Sequence, residues 1–147
     1  YGSYLSTVTQ TASTTTVAYS MSADTIVTQS GVTVVNGSKF TLSSGGTYNI
    51  QFSVQIDSTA GGTNEEMDIW FAVNGINVPN SNTTFTINSN NGKEVGALNF
   101  VDTFNGGDYI EIKWSVSDIR LRILAQGTKI NPTRPAVPSI IITITQV

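Results

Sequence analysis

The amino-acid sequence predicts an all-β fold, and three features support this prediction. No segment keeps the 3.6-residue periodicity of an amphipathic helix, whereas apolar and polar residues alternate repeatedly along the chain. The dipeptide Asn-Gly, the strongest short-range signal for a tight hairpin, occurs four times. The chain contains 21 Thr, 16 Ser and 13 Asn, and a Thr-rich, Lys-poor composition favours strands over helices.

The clearest element is a long strand over residues 46–57. Gly45 and Gly46 supply the turn that leads into it. Strict alternation places five apolar side chains on one face, which we expect to line the core: Tyr48, Ile50, Phe52, Val54 and Ile56. The opposite face carries Thr47, Asn49, Gln51, Ser53 and Gln55, which are polar but uncharged. A strand face that meets water usually carries Lys and Glu, so this face is expected to touch something else.

The remaining strands follow from the same alternation between turn signals. In chain order they are residues 4–10, 16–21, a hairpin over 32–42 around Asn36-Gly37, 67–73, 83–87, 95–104, 109–116, 119–123 and 139–147. Residues 59–64 read as a flexible Gly-rich loop, and three prolines between 132 and 138 predict a fixed extended loop. Eight to ten short strands without helix are typical of a sandwich, a jelly roll or a barrel.

Composition excludes several classes of function. The 147 residues suit a single domain over residues 1–147, and because the chain starts at Tyr1 we expect it to be excised or processed from a longer protein. The seven Lys and Arg residues are scattered in a chain of net charge −3, which argues against nucleic-acid binding. No run of 18 apolar residues predicts a membrane span, and without Cys the fold depends on packing alone.

Two motifs resemble the complement globular-head domain, a branch of the tumour necrosis factor-like jelly rolls. The first is Phe40-x5-Gly46-x-Tyr48-x-Ile50-x-Phe52, although the family signature prefers Phe at the position of Ile50. The second, Phe104-x-x-Gly107-Asp108-x-Ile110, is similar to the family's Leu-x-x-Gly-Asp-x-Val. The apolar strand at residues 140–147 sits where the family's last strand sits. The resemblance implies an antiparallel β-sandwich, a jelly roll of about ten strands.

More narrowly, the pattern resembles versions of this domain in bacteriophage virion proteins. Four phrases carry that likeness: Gly46-Thr-Tyr-Asn-Ile-Gln-Phe, Asp68-Ile-Trp, Val78-Pro-Asn-Ser-Asn-Thr83 and Thr133-Arg-Pro-Ala-Val-Pro-Ser139. The resemblance implies a homotrimer on the virion surface, in contact with other virion proteins, as a capsid decoration or a fibre head. The expected three-fold interface is the polar face of the long strand and its neighbours: Asn49, Gln51, Ser53, Gln55, Asn99, Val101, Thr103, Ile141, Thr143 and Thr145.

The chain departs from the family at Asp102. Strand parity places it beside Leu98, Phe100 and Phe104, where relatives tend to be apolar. Buried, this carboxylate needs a partner, for which the candidates are Lys113, Arg120 and Arg122. Alternatively, a β-bulge turns Asp102 outward.

Enzymatic chemistry is poorly supported. The chain has no His and no Cys, which removes the usual general base, the thiol nucleophile and the commonest metal ligands. A pair of catalytic carboxylates like that of a glycosidase remains formally possible, but most acids lie at strand ends or in loops, where they cap turns. Asp57, Glu65, Glu66 and Asp68 bracket one loop and supply hard oxygen ligands suited to Ca²⁺. Because the Asp-x-Asp-x-Asp-Gly spacing is missing, a solvated acidic loop is favoured, and no metal or cofactor is predicted.

Trp70 is the one candidate contact for a ligand. It lies on the strand face opposite Met67, Ile69, Phe71 and Val73. We expect partial burial against a neighbouring loop; alternatively, Trp70 belongs to the core if both faces of that strand are covered. An outward Trp also serves as a platform for a sugar or an anchor for a protein. The alternative function is therefore a receptor-binding module that recognises a host surface glycan or protein through loops 59–64, 79–83 and 126–138.

Overall fold

The computed structural model describes residues 1–61, 64–89 and 91–147, which form fourteen β-strands and no helix. Ten strands have four or more residues and four have two or three. In chain order they are β1 (Gly2–Ser6), β2 (Gln10–Thr11), β3 (Tyr19–Ser20), β4 (Thr25–Gln29), β5 (Val32–Val35), β6 (Lys39–Leu42), β7 (Gly46–Ser58), β8 (Glu65–Val73), β9 (Ile76–Asn77), β10 (Thr83–Ile87), β11 (Lys93–Phe104), β12 (Tyr109–Val116), β13 (Leu121–Ile123) and β14 (Ile140–Gln146).

The strands form two antiparallel sheets. In the first sheet the long strands run in the order β11-β7-β14-β1-β4, and β13 lies beside the end of β7 with β2 outside it. In the second sheet the order is β10-β8-β12-β6-β5, with β3 paired to β12 and β9 paired to β8. From β6 onward the chain crosses repeatedly between the sheets, as in a jelly roll. The predicted all-β antiparallel sandwich is confirmed.

The core lies between the two sheets and is built from the predicted alternation. All five apolar side chains of β7 are buried, as are Ile110, Ile112, Trp114 and Val116 of β12. Aromatic rings connect the layers: Phe52 meets Phe71 edge-on at 5.8 Å between ring centroids, and Phe71 stacks on Phe100 at 4.9 Å. Offset and edge-on contacts of this kind add about 0.5–1.5 kcal/mol each beyond the area they bury. These contacts fix which face of β7 and β11 points away from the core.

Two of the four Asn-Gly pairs form the predicted two-residue turns. Asn36 and Gly37 have φ of 52° and 73°, and Asn74 and Gly75 have φ of 52° and 80°. Positive φ at both central positions matches the twist of the flanking strands, here β5–β6 and β8–β9. After β11 the positive φ falls instead on Gly107, at 90°, within a turn closed by the Asp108 N–H donating to the Asn105 carbonyl.

The amino-terminal third departs most from the prediction. The predicted strand at 4–10 is two strands, β1 and β2, and the predicted strand at 16–21 is reduced to β3. The strand β4 was not predicted at all. It lies at the edge of the first sheet, its register with β1 shifts between Ser3 and Tyr4, and most of its residues are exposed. Because both of its faces are largely exposed, its sequence does not alternate between apolar and polar residues.

The long connection between β13 and β14 is more regular than the predicted extended loop. Gln126 pairs with Val137, and Lys129 pairs with Arg134, as antiparallel bridges. Residues 126–137 therefore form a narrow two-stranded arm whose tip carries the exposed Ile130. The predicted loop 59–64 includes Gly62 and Thr63, which lie outside the described residues.

Candidate interaction face

The outward face of the first sheet is the candidate site, and β7 positions it. Even-numbered residues of β7 point into the core, so the odd-numbered ones point outward. On one side, β11 pairs with β7 so that Asn99 lies opposite Gln51 and Val101 opposite Asn49. On the other side, β14 places Thr143 opposite Gln51. Rows of outward side chains thus run across three strands.

All ten residues predicted for the interface lie on this one face. They are Asn49, Gln51, Ser53 and Gln55 of β7, Asn99, Val101 and Thr103 of β11, and Ile141, Thr143 and Thr145 of β14. The register adds five outward positions to these ten: Ser3 and Leu5 of β1, Val95 and Ala97 of β11, and Thr47 of β7, which alternation also predicts for this face. None of these fifteen residues carries a charge, and we call the surface they form the uncharged face. The missed positions in β11 have the same strand parity as Asn99 and were recognisable from it.

The uncharged face is partly apolar and concave. Val95, Val101 and Ile141 are 59%, 55% and 42% exposed. A depression of about 450 Å³ lies at its centre, between Gln51 and its neighbours on β11 and β14. At one margin, the hydroxyls of Thr47 and Thr103 are hydrogen-bonded at 3.0 Å. Among the described residues, the buried Oδ1 of Asn49 has no hydrogen-bond partner, which is costly for a polar atom removed from water.

A row of charges closes the opposite margin of this face. Lys93 and Arg122 both lie opposite Asp57 in the sheet, one on each side. The Arg122 Nε donates to Asp57 Oδ2 at 2.7 Å, and the Lys93 Nζ lies 3.0 Å from Asp57 Oδ1. Asp57 is only 2% exposed. We call these three residues the ion row. Each oxygen of the Asp57 carboxylate has a cationic partner.

The expectation of a solvated acidic loop is wrong for two of its four members. Asp57 and Glu65 are buried. Glu65 accepts a hydrogen bond from the Ser58 hydroxyl at 2.8 Å, and its other oxygen lies 3.1 Å from Arg120 Nη2. The acids lie next to cations because β13 packs beside the end of β7, a pairing that the sequence does not reveal. Glu66 is exposed and Asp68 partly exposed. Within the described ranges no group of three or more acidic side chains is placed to hold a metal ion.

Asp102 is exposed, and neither predicted explanation for it holds. Its register with β7 is unbroken through the pair with Tyr48, so no bulge turns it outward. The three predicted cations lie elsewhere: Arg122 with Asp57, Arg120 with Asp118 and Glu65, and Lys113 with the Ser20 hydroxyl. Because β11 is the outermost strand of the sheet, a side chain of core parity near its end reaches water at the margin of the sandwich. The Asp102 carboxylate accepts a hydrogen bond from the Thr103 N–H at 2.7 Å.

Trp70 lies on the outward face of the second sheet and is partly buried, as predicted. Its Nε1 donates to Asn77 Oδ1 at 2.8 Å, which holds the ring against β9. In β12 the residue opposite is Lys113. The ring borders a depression of about 380 Å³ that also contacts Asp68, Asn80 and Asn82. Trp70 is on the opposite sheet from the ten interface residues, so the two predicted kinds of site are separate.

Hydrogen bonding lowers the pKa of three aspartates at turns or strand ends. The Thr7 hydroxyl and backbone N–H donate to Asp24 and lower the pKa of its carboxyl. The Asn74 amide lowers the pKa of Asp108, and the Arg120 guanidinium lowers that of Asp118. In the core, burial raises the pKa of the Tyr4 hydroxyl to about 12. The three acids with a lowered pKa lie at turns or strand ends, where the same hydrogen bonds stabilise the local fold.

Comparisons with known proteins add no assignment. No protein-family model matches the chain, and no curated protein matches its sequence. In the part of the chain that the structure describes, no helix has the length and apolar character needed to cross a membrane.

Proposed function

We propose that this chain is a non-enzymatic structural domain that assembles as a homotrimer through the uncharged face. The single observation that carries the proposal is the continuity of this face: fifteen outward positions on four adjacent strands, none of them charged. The two exposed valines of β11 and Ile141 of β14 supply apolar area for burial. Amides and hydroxyls can pair across an interface without the desolvation cost of ions.

Two further features support association through this face. In the described residues β11 pairs only with β7, so its outer edge presents unpaired backbone groups, which proteins normally cover. The depression of about 450 Å³ at the centre of the face offers room for side chains of a second copy. Closed rotational symmetry would satisfy every copy equally.

The test is the mass of the chain in solution. One chain weighs 15.7 kDa, so a trimer weighs three times as much, about 47 kDa. We expect about 47 kDa for the wild type by light scattering or native mass spectrometry. The variant Gln51→Glu with Asn99→Asp places two carboxylates opposite each other in each chain, hence six around the axis. Like-charge crowding in a low-dielectric contact should shift its mass to that of the monomer.

A matched control separates assembly from folding. Thr33 and Thr41 lie opposite each other on the outward face of the second sheet. Thr33→Glu with Thr41→Glu introduces the same kind of carboxylate pair away from the uncharged face and should leave the mass at about 47 kDa. A monomeric wild type at micromolar concentration, or a charged-face variant that keeps the trimer mass, would refute the interface.

We further propose that this trimer belongs to the surface of a bacteriophage virion, as a capsid decoration or fibre head bound to other virion proteins. The support is the resemblance of the two motifs around Gly46 and Gly107, together with a polar surface that carries few charges. An antibody against the chain should label the outside of intact particles. Labelling confined to particles opened by denaturant, or to the host cell, would contradict this location.

A further inference from the structure

The depression beside Trp70 combines one aromatic ring with a small set of polar side chains. It lies on the second sheet and is lined by Trp70, Asp68, Ser115 and three asparagines, Asn77, Asn80 and Asn82. Its volume of about 380 Å³ falls within the roughly 300–1,000 Å³ of small-ligand sites. In the described part of the chain, Asp68 is the one ionisable group of this lining.

Hydrogen bonds within the site hold its groups in place before any ligand arrives. Trp70 Nε1 donates to Asn77 Oδ1 at 2.8 Å and fixes the plane of the indole. Asn82 Nδ2 and the Thr84 hydroxyl both donate to Asp68 Oδ1, at 3.1 and 2.5 Å. The second oxygen of Asp68 accepts no hydrogen bond from the described residues. One carboxylate oxygen and several amide groups therefore remain free to bind a ligand beside a fixed ring.

We propose that this depression binds an uncharged saccharide. A pyranose ring presents an apolar C–H face, which packs on an indole, and a rim of hydroxyls, each a donor and an acceptor. Asp68 Oδ2 can accept from one hydroxyl or from two neighbouring ones, and the asparagine amides can both donate and accept. Groups held in place in the free protein lose little entropy on binding, which favours affinity.

The charge of the site selects against acidic sugars. A sialic acid or a uronic acid would bring its carboxylate close to that of Asp68, and like charges repel. Lys113 lies opposite Trp70, but its Nζ donates to the Ser20 hydroxyl, which in turn donates to Glu111. This lysine is therefore engaged away from the depression and does not offer a partner for an anion. Neutral hexoses and N-acetylhexosamines are the expected class.

The site is independent of the proposed trimer, because it lies on the opposite sheet from the uncharged face. If the trimer forms, three copies of the depression face outward on one particle component. Such repetition raises avidity for a surface dense in glycans without any new contact.

Ligand-observed saturation-transfer NMR on the full chain tests the proposal. The probes are the methyl glycosides of glucose, galactose, mannose and N-acetylglucosamine, with N-acetylneuraminic acid as the anionic comparison. We expect at least one neutral glycoside to bind saturably with a dissociation constant of about 1 mM or below, and the anionic sugar to bind at least tenfold more weakly. Tryptophan emission gives a second readout, since Trp70 is partly exposed whereas Trp114 is buried.

Variants assign the binding to the depression. Trp70→Ala should weaken it at least tenfold, Trp70→Phe only a few-fold because the ring remains, and Asp68→Asn several-fold because the free oxygen is replaced by a donor. Thr86→Ala, an exposed change on β10 outside the lining, is the matched control and should bind as the wild type does. Circular dichroism confirms that each variant is folded; if Trp70→Ala unfolds, the Trp70→Phe and Asp68→Asn results decide.

Two outcomes would overturn the inference: no saturable binding of any neutral glycoside, or binding that survives both Trp70→Phe and Asp68→Asn undiminished. The Gln51→Glu, Asn99→Asp variant separates this inference from the proposed assembly. It should lose the trimer mass yet bind the same glycoside with unchanged affinity per chain. Sugar binding without a trimer, or a trimer without sugar binding, then identifies which proposal fails.

Discussion

Removing the guanidinium from the ion row should destabilise the fold measurably. In Arg122→Met, Asp57 keeps its burial but loses the 2.7 Å hydrogen bond from Nε, and only Lys93 remains beside it. Breaking a fully buried pair costs about 3–5 kcal/mol. Arg122 is 35% exposed and Lys93 still neutralises the carboxylate, so the cost is discounted for solvent screening to about 2 kcal/mol. For a domain of this size that corresponds to a loss of about 4–8 °C in Tm.

The assay is urea and thermal unfolding followed by circular dichroism, at one chain concentration, because association would add to apparent stability. Lys93→Met should cost less, at most about 1 kcal/mol, because this lysine is 55% exposed. Arg134→Met at the exposed arm is the control and should change stability by less than about 0.5 kcal/mol. The double variant Asp57→Leu, Arg122→Met should be more stable than the sum of the two single changes predicts. The reasoning would be refuted if Arg122→Met and Arg134→Met lowered the free energy of unfolding equally, or if the effects of Asp57→Leu and Arg122→Met were simply additive.

Three further predictions concern titration and backbone strain. Burial raises the pKa of Tyr4 from 10.0 to about 12, so the free energy of unfolding should hold below pH 10 and fall by about 2–3 kcal/mol toward pH 12. Tyr4→Phe should flatten this alkaline loss, and an unchanged slope would contradict the assignment. Hydrogen bonding lowers the pKa of Asp24, so the contribution of this carboxylate to stability is present above about pH 3.9 and is lost as the pH falls through the lowered pKa. Asp24→Asn should therefore show a smaller drop in Tm between neutral and acid pH than the wild type. Parallel profiles of Tm against pH for the two proteins would contradict this prediction. Gly107 and Gly127 both have open space where a Cβ would stand, but of the two only Gly107 has a positive φ, of 90°. Gly107→Ala should therefore lower the free energy of unfolding by about 1–2 kcal/mol, whereas Gly127→Ala should not lower it. Equal effects in chemical denaturation would show that the backbone at Gly107 is not strained.

Residues whose environment is set by strand parity were predictable from the sequence. The alternation in β7 identified both its core residues and its uncharged outward ones. That Asn99, Val101 and Ile141 share a face with them was expected from the family resemblance, which indicated the neighbouring strands, and the register places them there. Period-two alternation is a property of a single strand, so it can be recognised without knowing which strands are its partners.

Environments that depend on which strands become neighbours were not predictable. Asp57 lies between Lys93 and Arg122, which are 36 and 65 positions further along the chain, and only the pairing of β11 and β13 with β7 brings them together. Asp102 has core parity but lies near the end of an outermost strand, where parity no longer guarantees burial. The edge strand β4 escaped detection because both of its faces meet water in part and its register shifts.

The absence of ionised groups from the uncharged face has a consequence for the range of media in which copies would hold together. Dissolved salt weakens ionic contacts by screening their Coulomb attraction, and at about 1 M salt the screening length is only about 3 Å. Contacts made by methyl groups, amides and hydroxyls offer nothing for dissolved ions to screen, and burial of apolar area is strengthened by salts excluded from protein surfaces. Copies joined in this way would stay associated over a wide range of salt concentration, from dilute buffer to molar salt.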